Sequence, residues 1–255
     1  MKKCFLAIIC LVLILNSCSK DNDISQEPVG ITLNFNHSWE GAEITNVDFD
    51  DLKFTNENGD LLSIKLLRYL ISEIILTHES GVITVLEDYT LVDVTNNEGL
   101  SFTTTEAIIP GEYTRVTVRF GFSDANNIDG AYPDLNTANF NVPGLLGGGY
   151  HFMQFDGKYI NSNALEAPFN YHVISAIDPT NVNDPVDTSF TLNIGPVTVG
   201  GSTSIDIEMD ISEWFKNPNT WNLNEKDVNL MGDFDSQLLM NQNGASVFSL
   251  ADITQ

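Results

Sequence analysis

Positive charge is scarce in this chain: 11 lysines and arginines stand against 35 aspartates and glutamates, a formal net charge of -24. Phosphate recognition needs a basic footprint, so this balance argues against nucleic acid as a partner. An acidic surface suits solubility and the company of cations instead. Cysteine is scarcer still, and Cys4, Cys10 and Cys18 all fall in the first eighteen residues. Catalytic signatures are missing too. No Gly-x-Ser-x-Gly elbow occurs, and Gly147-Gly148-Gly149 lacks the lysine and following helix of a phosphate-binding loop. Nothing marks one pair among the many carboxylates as an acid and a nucleophile. The expectation is a protein that is not an enzyme, with no internal repeat.

What is present begins at the N-terminus. Lys2 and Lys3 precede an apolar run from Phe5 to Leu15 that is too short for a permanent membrane span, as in a secretory signal. It ends on Leu15-Asn16-Ser17-Cys18, which resembles the bacterial lipobox. Residues 1–17 therefore read as a lipoprotein signal peptide, with cleavage before Cys18 and lipidation on it. An ordinary signal peptide with a chance cysteine is the competing reading. Residues 18–29 read as the lipidated cysteine and a flexible tether, and residues 30–255 as the folded domain. The short polar-acidic run Ser19-Lys20-Asp21-Asn22-Asp23 resembles the surface-export signal of Bacteroidota lipoproteins, although a plain solvated linker explains it as well. The expected location is the outer membrane, held through the lipid anchor only, with display at the cell surface ranked ahead of a periplasm-facing position. Cys4 and Cys10 leave with the peptide, so the mature chain has no disulfide and no free thiol for metal chemistry.

With 42% hydrophobic residues, the remainder can bury a real core. Its dominant period is two. Ile31, Leu33 and Phe35 alternate with Thr32, Asn34 and Asn36, and similar alternation runs through Val116–Phe120, Phe190–Ile194 and Ile205–Ile211. Turn residues separate these segments, so the fold class expected is all-β: an antiparallel β-sandwich with a few short helices. Residues 64–76 are ambiguous, because Leu67, Leu70, Ile71 and Ile74 also fit helical spacing; a turn of helix leading into a strand would satisfy both. Ser212 reads as the N-cap of a short helix that ends before Pro218.

Four histidines remain as chemistry. His151 lies in Tyr150-His151-Phe152-Met153, where alternation puts it on one face with Met153. His172 follows Phe169-Asn170-Tyr171 on a second strand-like segment that a neighbouring strand would bring to His151. His37 ends the first strand, and His78 reads as an exposed turn residue. Imidazole suits copper and zinc, whereas carboxylates and carbonyls suit calcium. Each histidine could equally make a plain hydrogen bond at a strand edge. Asp124, Asn126 and Asp129, in the run from Ser123 to Gly130, form a second candidate, for calcium; a polar surface turn explains the same residues, and the spacing is not that of an EF-hand.

Set in order, several segments carry a family resemblance. They are Leu33-Asn34-Phe35-Asn36-His37, Leu67-Arg68-Tyr69-Leu70-Ile71-Ser72-Glu73-Ile74, Arg119-Phe120-Gly121-Phe122 and Gly149-Tyr150-His151-Phe152-Met153-Gln154-Phe155-Asp156-Gly157, followed by Tyr171-His172. From Ile31 to Leu250 the chain resembles the MbnP-like copper-binding proteins, many of them Bacteroidota lipoproteins. The resemblance implies a β-sandwich holding one copper ion through histidines, with His172 the best match to a family ligand and His151 and His37 carried over beside it. It also implies a di-haem peroxidase-like partner that oxidises a tryptophan in some members. This chain departs from the pattern at Asn139-Phe140-Asn141-Val142, where those members carry tryptophan, and after His172, where it reads Val173-Ile174-Ser175-Ala176. Two functions follow as expectations: an extracytoplasmic copper-binding lipoprotein for metal capture or storage, or a surface interaction module of the same fold that binds a protein or glycan and no metal.

Overall fold

Leu33 and Phe35 of the first strand turn into the interior while Asn34 and Asn36 face outward, the arrangement that period-two alternation dictates. The computed structural model describes residues 27–181 and 185–254. The expected signal peptide, Cys18 and the tether up to residue 26 lie outside the described residues. Val29, at the end of the expected tether, already pairs with Ile108.

In chain order the elements are β1 (Thr32–Trp39), β2 (Ala42–Glu43), β3 (Phe54–Thr55), β4 (Leu61–His78), β5 (Ile83–Asp93), β6 (Ser101–Thr103), β7 (Gly111–Phe120), α1 (Pro133–Thr137), β8 (Met153–Ile160), β9 (Glu166–Val173), β10 (Phe190–Val199), β11 (Ser204–Asp210), α2 (Phe234–Val247) and β12 (Phe248–Thr254). They form two sheets. One has the order β12-β11-β1-β2 with β6 also on β1; the other runs β10-β7-β4-β8-β9, with β3 and β5 on the free side of β4. Pairing is antiparallel throughout except for β1 with β11, which run parallel. The architecture is the all-β sandwich that the alternation indicates.

Residues 64–76 hold no helical turn. They belong to β4, a strand of 18 residues that organises the larger sheet. Tyr69 pairs with both Val92 and Met153, and Ile71 with both Thr90 and Phe120, so β8 and β7 share one edge of β4 in succession while β5 takes the other. The helix-like spacing has a physical source. The register slips between Ile64 and Leu66 and again around Glu73, whose φ is +45°, and each slip shifts the side-chain alternation. A 3-10 helix does form at Ile211–Phe215, but its N-cap is Asp210, whose carboxylate accepts from the Ser212 amide.

The 14-residue helix α2 gives little sign of itself in the sequence, because the residues it buries are largely polar. Gln237 and Asn243 are fully buried, and their amides are spent on backbone partners. Gly244 lets the helix approach β10, since a Cβ there would lie 2.3 Å from the Phe190 ring. Between the sheets, Tyr171, Trp214, Phe215 and Trp221 form a continuous aromatic block.

Candidate metal centre

β8 and β9 are antiparallel neighbours in a register that sets Gln154 opposite His172 and Met153 opposite Val173. His151 lies just before β8, on a segment that the Asn141–Tyr150 bridge ties to the stretch around Phe140. The chain reverses through Gly147, Gly148 and Gly149, all at positive φ, a conformation that glycine alone adopts without strain. The outcome is that the imidazoles of His151 and His172 meet edge to face, with ring centroids 5.2 Å apart.

What each ring does with its two nitrogens defines the chemistry. Nδ1 of His151 lies 3.0 Å from the Phe140 carbonyl oxygen, which can only accept, and 3.3 Å from Gln154 Nε2; the shorter contact assigns the proton to Nδ1 and the lone pair to Nε2. Nε2 faces the Met231 sulfur at 3.3 Å. His172 is anchored the other way round: Nε2–H donates to Asp156 Oδ1 at 2.7 Å, and Nδ1 is buried with no hydrogen-bond partner. In its neutral form each ring would thus present an unshared electron pair with the far nitrogen held by an oxygen, the arrangement that orients metal-binding histidines.

The electrostatics agree. Burial lowers the His151 pKa to about 4; the bond to the Phe140 carbonyl opposes this and neighbouring His172 adds to it. The ring is neutral at neutral pH, with no proton for a metal to displace. Burial works to raise the pKa of Asp156, but the bonds from His172 and Asn170 outweigh it and keep the carboxyl ionised. Arg68 Nε donates to Gln154 Oε1 at 2.6 Å, and its guanidinium lies 5.4 Å from the centre of the Phe140 ring, bracing the segment that holds His151.

His37 does not join this pair. Its Nε2 shares a hydrogen bond with the Tyr69 hydroxyl at 3.0 Å, the plain bond open to any buried histidine. Burial alone lowers its pKa to about 4. Between pH 6.5 and about 4 the unfolded chain binds a proton here that the folded chain refuses, so stability falls as pH drops through that window and levels off below it. The shift from 6.5 to about 4 sets a ceiling of roughly 3 kcal/mol. Urea unfolding of the parent and His37→Gln across pH 4–7 should show a gap between them that narrows toward acid. A constant gap would contradict this account.

His78 ends β4, half-buried against Tyr113, with Nδ1 at 2.8 Å from Ser80 Oγ. In the calcium candidate, the Asn126 side-chain nitrogen donates to Glu73 and Glu87, and the Asn127 side-chain oxygen accepts from the Tyr150 amide. Asp124 lines a shallow cavity with Asn127 and Ser175, and Asp129 lies against Gly148. Among the described residues, no three His, Cys, Asp or Glu side chains gather as a metal-binding group, at this loop or elsewhere. The thioether of Met231 also lies beside the histidine pair. Sequence reasoning missed it, because Met231 lies 59 positions beyond His172 in a segment with no regular period.

The sequence profile of the MbnP family matches residues 28–232, and so takes in both histidines and Met231. This chain belongs to the MbnP family. Among solved structures, MbnP from Methylosinus trichosporium shares the fold, with a TM-score of 0.51 and 14% identity over 75% of this chain and 79% of that one. At that identity the likeness speaks for the fold alone. A comparison with curated protein sequences gave no match. As an MbnP-family chain, this one carries Phe140 where the resemblance leads one to look for tryptophan. Its three tryptophans, Trp39, Trp214 and Trp221, are all packed in the core.

Proposed function

We propose that this MbnP-family protein binds one copper ion between His151 and His172 and serves in extracytoplasmic metal capture or storage, with no turnover of its own. The carrying observation is the pair of imidazoles, His151 buried and His172 half-buried, whose far nitrogens are anchored by the Phe140 carbonyl and the Asp156 carboxylate while the others have no hydrogen-bond donor on them. Copper accepts such imidazole donors readily, and the family is one associated with copper. The copper here is cargo rather than a working cofactor.

In this reading Asp156 keeps His172 in the tautomer that offers Nδ1, and Asn170 in turn steadies Asp156. Burial excludes water and holds both rings in place before the ion arrives. Lipidation at Cys18 would put the domain on the outer membrane, at the surface, where a cell first meets external copper. A di-haem partner that oxidises tryptophan finds no such residue at positions 139–142, so the proposal does not include that modification.

The test is titration of the purified, metal-free protein with copper against a competing chelator of known affinity. Binding of one ion, tighter than about 1 µM, is expected. Asp156→Asn should weaken it about 10- to 100-fold, the usual effect of removing an outer partner of a ligating histidine. A parent that takes up no copper would sink the reading.

A further inference from the structure

We propose that Met231 is the third ligand of this ion and that its thioether makes the site select Cu(I) over Cu(II) and Zn(II). The inference rests on the copper reading above and adds a donor from a separate segment of the chain.

The observation behind it is a contact with no hydrogen in it. The one ring proton of neutral His151 is committed at Nδ1 to the Phe140 carbonyl. Across the ring, Nε2 and the Met231 sulfur lie 3.3 Å apart, and a thioether has no hydrogen to give. Two electron-pair donors therefore face each other in a half-buried position. That contact gains nothing as a hydrogen bond and becomes favourable when a cation binds to both. The separation fits such an ion. A nitrogen at about 2.0 Å and a sulfur at about 2.3 Å from one metal, near the tetrahedral angle, lie roughly 3.3–3.5 Å from each other. The buried, unpartnered Nδ1 of His172 supplies the remaining donor.

The placement of Met231 is held by design of the fold. It sits in the middle of a 3-10 turn, Leu230–Gly232, entered through Asn229 at a φ of +64°. Gln237 of α2 ties this turn to the strand that carries His172. Its side-chain nitrogen donates to the carbonyls of Leu230, at 3.0 Å, and of His172, at 2.8 Å, and its oxygen accepts from the Ile174 amide at 2.9 Å. One fully buried amide thus sets the distance between the two ligand-bearing segments. The other methionines of the described residues, Met153, Met209 and Met240, are fully buried as core packing, whereas Met231 stands half-exposed beside the histidines.

Selectivity follows from the donor set. Thioether sulfur is a soft ligand suited to Cu(I), imidazole accommodates it, and the carboxylate beside the pair, Asp156, already accepts from His172. With no cysteine beyond residue 18, a thioether is the softest donor the folded domain can offer.

The experiment compares Cu(I), Cu(II) and Zn(II) binding to the intact metal-free protein and to Met231→Leu, anaerobically for Cu(I), with X-ray absorption on the Cu(I)-loaded parent. Leucine preserves shape, and thermal melting checks that the variant folds. Cu(I) affinity should fall about 10- to 100-fold in Met231→Leu, while Cu(II) and Zn(II) affinities change less than about threefold. The parent should show one sulfur scatterer at about 2.3 Å. A parent that binds Cu(I) through nitrogen alone, or a variant that binds it as tightly as the parent or loses all three ions equally, would overturn the role of Met231 and leave the histidine site standing. A parent that binds no copper overturns both.

Discussion

His172→Ala should weaken copper binding by about 100-fold, and removing His151 as well should abolish specific uptake. The magnitude comes from how metal-binding energy divides among ligands. Sites of four protein ligands bind with apparent free energies of about 10–16 kcal/mol, roughly 3 kcal/mol per ligand, which is about a hundredfold in affinity. The two single variants need not be equal. His151 is 4% exposed, so its replacement by alanine also opens a cavity between Phe140 and Gln154. His172 is half-buried and leaves a smaller void, which makes His172→Ala the cleaner probe of ligation. His37→Ala is the internal control. It removes a buried ring bonded to Tyr69, so it should lower stability yet leave copper affinity within about twofold. Competition titration reads the parent and all four variants. If His37→Ala lost copper binding and His172→Ala kept it, the ligand assignment would be wrong.

Gly157→Ala should be the most damaging single methyl in the domain, destabilising it by at least about 3 kcal/mol. Gly157 lies in β8 directly beside β4, and a Cβ there would sit 2.0 Å from the Ser63 carbonyl oxygen and 2.5 Å from the Phe169 ring. The ring has some freedom to move; the carbonyl does not, because it belongs to the central strand of the larger sheet. Relief would require β8 to part from β4, and β8 carries Asp156, the anchor of His172. Chemical denaturation of Gly157→Ala should therefore show a large fall in midpoint, and whatever folds should bind copper more weakly. Gly130→Ala makes a suitable comparison. Its φ of +71° adds backbone strain, but nothing lies within 4 Å of the added carbon, so the loss should stay near 1 kcal/mol, about the strain alone. Equal losses from the two substitutions would show that the close approach at Gly157 relaxes freely.

Much of the fold was legible because strand alternation is a direct record of one buried face, as in Leu33 and Phe35 of β1 or Ile205, Ile207 and Met209 of β11. Where the record failed, something broke the period. In β4 the register slips moved apolar residues to helical spacing, and strand residues buried on both faces blurred the pattern further. In α2 the buried positions include the polar Ser236, Gln237 and Asn243, whose burial is made tolerable by hydrogen bonds that no sequence pattern displays. The site divides in the same way. His151 and His172 stand out because histidine is rare here and strand neighbours are easily guessed. Asp156 stands within the Gly149–Gly157 motif, but its role depends on the diagonal reach between β8 and β9. Met231 and Gln237 come from the far end of the chain, and only the folded structure brings them to the histidines.

The most direct measurement is anomalous diffraction at the copper edge from crystals of the copper-loaded protein. A single strong peak is expected within bonding distance of His151 Nε2 and His172 Nδ1. A peak at His37, at His78 or in the Ser123–Gly130 loop with none at the histidine pair would contradict the site argued for.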